Sequence, residues 1–115
     1  MVGRLDGKVA VITGGSRGLG LALASELAQE GAILHLLARD AEELERAAAL
    51  LRSQGASVEI WPCDVRSKER VDEVLNIIGR RTGGIDLLIN NAGIMRAEKL
   101  EHKRDLSDAE AMITT

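Results

Sequence analysis

Thr13-Gly14-Gly15-Ser16-Arg17-Gly18-Leu19-Gly20 follows the apolar run Val9-Ala10-Val11-Ile12 and opens a segment that reads as a helix. A strand, a glycine-rich turn and a helix N-terminus in that order make an anion site. The unpaired N–H groups of the first helical turn and the positive end of the helix dipole converge on one point. Glycines let the backbone turn sharply and approach a ligand closely. A pyrophosphate suits such a site, so the stretch predicts the first strand–turn–helix of a dinucleotide-binding fold. A Walker A loop is excluded. Gly15 to Gly20 has its glycine spacing, but Leu21-Ala22 stand where Lys and Ser/Thr are required.

Outward from this loop, strand and helix signals alternate. Val9–Thr13 is the first strand, and the helix over Leu19–Glu30 stops at Gly31, placed for a left-handed C-terminal residue. Ile33–Ala38 is the second strand. Asp40 with Glu43 three residues on forms an Asp-x-x-Glu variant of the capping box for a helix from Ala41 to about Gln54, ended by Gly55. Ser57–Pro62 is the third strand. Ser67 caps a helix from Lys68 to about Arg81, and Gly83-Gly84 stops it. Ile85–Asn90 contains the fourth strand. A polar stretch, Met95 to Asp105, follows, and Ser107 with Glu110 suggests one more capping box. The β-α-β-α-β-α-β order with short connections predicts parallel strands with right-handed crossovers and helices on both faces. The expected fold is α/β: a Rossmann-type doubly wound parallel sheet, partial, with strand order 3-2-1-4 in a three-layer α/β/α arrangement.

Composition agrees. The 115 residues suffice for one domain, 45% are apolar, and Trp61 is the only aromatic, so Ala, Val, Ile and Leu must build the core. A net charge of −3 with mixed signs lacks the basic stripe of a nucleic-acid binder. No apolar run approaches membrane-spanning length. The lone Cys63 has no internal partner, which points to a reducing, cytoplasmic setting. His35, His102 and Cys63 show no metal-ligand spacing. The run Glu42-Glu43-Leu44-Glu45-Arg46 reads as a solvated helix face.

The Thr-Gly-x-x-x-Gly-x-Gly form of the loop resembles the short-chain dehydrogenase/reductase family. Asp64-Val65 after the third strand, Asn90-Asn91-Ala92-Gly93 after the fourth and the Gly7-Lys8-Val9 lead into the first strand match in the same register. The resemblance implies roles. Gly14, Gly15, Gly18, Leu19 and Gly20 shape the pyrophosphate turn, and Ser16 and Arg17 lie over the phosphates. Asp64 accepts from the adenine amino group and Val65 packs on the ring. Asn91, Ala92 and Gly93 lie beside the nicotinamide ribose, and Asn90 braces the central strands.

Cofactor choice follows from charge. An acid at the end of the second strand holds the ribose 2′-hydroxyl and repels a 2′-phosphate. Here Arg39 stands at that end, and Arg17 is a second cation facing the same group. A guanidinium grips phosphate with two parallel hydrogen bonds. NADP(H) is therefore expected ahead of NAD(H). Asp40 argues the other way, although its capping role accounts for it.

The family's chemistry implies proton donation by a tyrosine to a carbonyl as hydride moves from the nicotinamide, with a lysine four residues on lowering the tyrosine pKa. These 115 residues contain no tyrosine. The expectation is thus an NADP(H)-binding half-domain over residues 1–115, truncated before the catalytic segment, without catalytic residues of its own. The small carbonyl or alcohol substrate belongs to the intact protein. Residues 111–115 resemble the family helix that precedes the catalytic asparagine. Leu87-Leu88-Ile89 is then expected to present an apolar sheet edge, favouring a homo-oligomer. The alternatives are a non-catalytic NADP(H)-binding or sensing module, a half-site completed by a partner chain, and a structural remnant.

Overall fold

The computed structural model describes residues 3–91 and the backbone of the short strand Met112–Ile113. In chain order the elements are β1 (Val9–Thr13), α1 (Gly18–Gln29), β2 (Ile33–Ala38), α2 (Ala41–Ser53), β3 (Ser57–Pro62), α3 (Lys68–Thr82), β4 (Leu87–Asn90) and β5 (Met112–Ile113). The sheet order is β3-β2-β1-β4-β5. The first four strands are parallel, with Val9 opposite Ile33, Ala10 opposite Leu87 and Ile33 opposite Ser57. This is the doubly wound α/β arrangement expected, with order 3-2-1-4 over those strands.

β1 is buried throughout and β2 is buried from Leu34 on, as central parallel strands covered on both faces must be. Alternation along them makes two cores. Ala10, Ile12, Leu34 and Leu36 pack with Ala24, Leu44, Ala47 and Leu51 of α1 and α2. Val9, Val11 and Leu37 pack with Cys63 and with Val74 and Ile78 of α3. Small residues on α1 and α2 let these helices lie close to the sheet.

The helix ends follow local chemistry. Asp40 accepts from the Glu43 N–H at 3.1 Å, and Ser67 accepts from the Arg70 N–H at 3.2 Å. α1 closes with Gly31 N–H to Ala28 O and Ala32 N–H to Leu27 O, and α2 repeats the pattern with Gly55 and Ala56. Both are Schellman motifs, and Gly31 and Gly55 carry the φ of +93° and +92° that the motif demands.

Two expectations are corrected. Met112 and Ile113 do not continue a helix; they form β5, antiparallel to β4. The β4 edge is consequently covered at Leu87 and Leu88, which stand opposite Ile113 and Met112. Two extended apolar residues satisfy the edge N–H and C=O groups that a helix could not reach. Other readings on residues 92–111, including Ala92, Gly93, His102 and the Ser107–Glu110 capping box, lie outside the described residues.

Candidate functional site

The parallel register brings the loops after β1, β2, β3 and β4 to one edge of the sheet. β2 and β4 flank β1 on opposite sides, so the loop after β1 sits where the winding reverses, the position at which open α/β sheets bind ligands.

Residues 14–17 connect β1 to α1, and Gly18–Gly20 form the first turn of α1. Gly14 and Gly18 have φ of +71° and +56°, a conformation side chains with a Cβ rarely adopt. The Gly14 N–H donates to Leu37 O at 2.8 Å, and Asn91 Nδ2 donates to Gly14 O at 3.3 Å. Thr13 Oγ1 donates to Asn90 Oδ1 at 2.9 Å, tying β1 to β4. At Gly20 a Cβ would lie 2.0 Å from Gly14 O. At Gly15 one would lie 2.9 Å from Leu36 Cδ2. The loop is therefore held by both neighbouring strands and closed on the helix it precedes.

α1 differs from the other helices at its start. Arg17 occupies the capping position without a side-chain hydrogen bond, and the first turn holds no acid. α2 and α3 both have a capping side chain and an acidic first turn. The N–H groups of Gly18, Leu19 and Gly20 precede the bond from Leu21 N–H to Arg17 O. They stand where an anion would meet them. Leu19 is 63% exposed beside them, whereas Ser16 is buried.

Arg39 and Asp64 follow β2 and β3, close enough that Arg39 helps hold Asp64 ionised. The main cause is Arg66. Its backbone N–H and Nε donate to Asp64 Oδ1 at 2.9 and 3.1 Å, and these hydrogen bonds hold the carboxyl below the usual carboxylate range. Val65 is half-buried against the core under α3. Cys63 is buried, and desolvation pushes its thiol pKa up, the signature of an inert core cysteine.

The Glu42–Arg46 run is corrected. Leu44 is fully buried, and Glu43 turns inward to the loop. Ser16 Oγ donates to Glu43 Oε1 at 2.8 Å, and Arg17 Nη1 lies 3.6 Å from Glu43 Oε2. Its one signal in the sequence was the capping-box position. Glu43 supplies its N–H to Asp40, as the box requires, and its carboxylate goes elsewhere.

On the α3 side of the sheet, His35 is buried. Its Nδ1 accepts from Trp61 Nε1 at 3.1 Å, while Nε2 has no hydrogen-bond partner. Burial lowers its pKa below 6.5; Glu59 opposes that shift and Arg81 adds to it. Above pH 6.5 His35 is neutral in both folded and unfolded chains. Below it, the unfolded chain takes up a proton the folded chain resists, so stability falls as pH drops from about 6.5 through the native pKa. The slope is at most about 1.4 kcal/mol per pH unit for one proton. His35→Gln keeps an acceptor for Trp61 and should remove this loss between pH 7.5 and 5. Urea melts followed by Trp61 fluorescence check it; an identical loss in the variant would reject His35 as the source.

Comparison with known proteins places this site in context. The family model described as short chain dehydrogenase matches residues 8–115. The chain is 39% identical over 92 residues to the 2,3-dihydro-2,3-dihydroxybenzoate dehydrogenase of Bacillus subtilis, covering 80% of this chain and 35% of that protein. It is 42% identical over 89 residues to the fatty acyl-CoA reductase of Acinetobacter baylyi, covering 77% and 30%. Among solved structures, L-sorbose reductase from Gluconobacter frateurii complexed with NADPH and L-sorbose superposes with a TM-score of 0.72 at 43% identity, covering 84% of this chain and 40% of that one. NAD+-bound xylitol dehydrogenase superposes with a TM-score of 0.73 at 41% identity, covering 78% and 35%. The chain thus spans about a third of the length of the curated relatives it matches.

Proposed function

The chain belongs to the short-chain dehydrogenase family, and from that premise we propose that it is the NADP(H)-binding half of an oxidoreductase that reduces a small ketone or aldehyde, or runs the reverse oxidation. The observation that carries this reading is the start of α1: an uncapped, acid-free helix N-terminus behind a glycine loop closed at Gly14 and Gly20. The chemistry of the donors fits a dinucleotide. The N–H groups of Gly18, Leu19 and Gly20 would hold the pyrophosphate. Ser16 and Arg17 would lie over the phosphates, Arg17 and Arg39 would meet the adenosine ribose and its 2′-phosphate, Asp64 and Val65 the adenine, and Asn91, Ala92 and Gly93 the second ribose. When bound, the nicotinamide supplies or accepts the hydride; this chain's residues bind and orient it. The relatives include NADPH-bound and NAD-bound proteins, so the 2′-phosphate preference rests on the two arginines alone.

Proton transfer to the carbonyl would fall to residues other than these 115, which include no tyrosine. A homo-oligomer belongs to the same reading, with the apolar β4 side of the sheet, Leu87-Leu88-Ile89, as the surface that would take part. So does a cytoplasmic location, supported by the single buried thiol of Cys63.

The test is titration calorimetry with NADPH and NADH. NADPH should bind more tightly, and Arg39→Asp should reverse the order, since the acid repels a 2′-phosphate and accepts from a 2′-hydroxyl. The expected change in the affinity ratio is about a hundredfold, for loss of a charge-assisted pair and gain of a repulsion. An unchanged ratio would remove Arg39 from the ribose site.

A further inference from the structure

Glu43 is the one acid that the described fold brings into contact with the glycine loop through side chains. It lies in the first turn of α2, 27 residues from Ser16, and reaches the loop because β1 and β2 end side by side. Its two carboxylate oxygens divide between the Ser16 hydroxyl at 2.8 Å and the Arg17 guanidinium at 3.6 Å. A hydroxyl and a guanidinium are the donors a phosphate would use, so the carboxylate stands in for one. The contact is partly shielded on one side only: the Glu43 side chain is 24% exposed and that of Arg17 is 80% exposed.

We infer that Glu43 is a specificity-determining residue, a built-in anion that occupies Ser16 and Arg17 in the free protein and opposes a 2′-phosphate there. The inference rests on the cofactor reading above. A phosphate arriving at Ser16 and Arg17 must displace the carboxylate or lie beside it, at a cost in like-charge repulsion. A ribose hydroxyl arriving at the same place brings a donor and meets an acceptor. Glu43 therefore works against Arg17 and Arg39. It narrows the preference those arginines create and keeps the site open to both forms of the dinucleotide.

The carboxylate is not needed for the helix cap, because Glu43 supplies only its N–H to Asp40. Glu43→Gln keeps the length of the side chain and an oxygen for Ser16 while removing the charge. The probes are adenosine 2′,5′-bisphosphate and adenosine 5′-monophosphate, which differ only in the 2′-phosphate and need none of the nicotinamide-side residues. Titration calorimetry on the full chain gives the ratio of their affinities.

In Glu43→Gln that ratio should rise about tenfold in favour of the bisphosphate. A residue with a merely structural role would weaken or strengthen both ligands together. Glu43→Ala, with circular dichroism and melting temperature matched to the parent, should move the ratio the same way. A ratio within twofold of the parent's, or one that falls, overturns the inference and leaves the cofactor reading standing if the parent binds the bisphosphate. If the parent binds neither nucleotide, the cofactor reading itself fails and the inference with it.

Discussion

Gly20→Ala is expected to lower affinity for NADPH by about a hundredfold or more, and to destabilise the chain by about 2–3 kcal/mol. The added methyl would sit 2.0 Å from Gly14 O, 2.8 Å from Gly14 C and 3.0 Å from Gly15 Cα. All three are backbone atoms, so no rotamer change relieves the clash. Gly14 cannot retreat without cost, since its N–H is bonded to Leu37 O and its carbonyl receives Asn91 Nδ2. Relief has to come from moving the first turn of α1 away from the loop. That movement separates the N–H groups of Gly18, Leu19 and Gly20 from the phosphate position they are meant to share. Titration calorimetry with NADPH, alongside a urea melt, measures both effects. Affinity within threefold of the parent's would mean that the close approach of α1 to the loop is unrelated to binding.

Leu36→Ala should cost about 3–4 kcal/mol. Leu36 is fully buried in the centre of β2, in the core under α1 and α2. Removing its side chain leaves a cavity that two strands and two helices are too constrained to fill. Against a typical total of about 5–15 kcal/mol, that loss is a large fraction. The midpoint of a urea melt should fall with its slope unchanged, because the surface exposed on unfolding hardly changes. Leu36 Cδ2 also supports Gly15 from below, at 2.9 Å from the position of a Cβ there. Nucleotide affinity should therefore drop in the same variant under conditions where it stays folded. A change in stability below about 1 kcal/mol would show that the sheet relaxes around the gap, as well-collapsing sites do.

The fold and the geometry of the glycine loop were legible in the sequence wherever their cause is local. β1, β2 and β3 have the bounds that the runs Val9–Thr13, Ile33–Ala38 and Ser57–Pro62 predict. β1 and β2 are near-continuous apolar runs and β3 alternates, with Val58 and Ile60 on one face and Glu59 and Trp61 on the other; five or six such residues between turn signals leave little choice of conformation. Gly31, Gly55 and Gly83 end their helices with φ near +92°, a conformation that costs other residues energy before any tertiary contact forms. Asp40 and Ser67 cap through N–H groups three residues away. The strand, glycine turn and helix N-terminus at residues 13–20 belong to the same class, because all three lie within eight residues.

What remained for the tertiary structure involves partners far apart in the chain. Glu43 reads as solvated from its neighbours Glu42, Glu45 and Arg46, and only the parallel pairing of β1 with β2 brings it to Ser16 and Arg17. Arg39 acts on Asp64 because β2 and β3 end together. The β-branched Ile113 suits an extended backbone, but its partner lies far away in the chain. Met112 and Ile113 become a strand because Leu88 and Leu87 of β4 offer them an unpaired edge. Local sequence specifies conformation through short-range sterics and hydrogen bonds. Which charge meets which, and which edge is covered, depends on the order in which the strands pack, and that order is an outcome of burying two faces of one sheet at once.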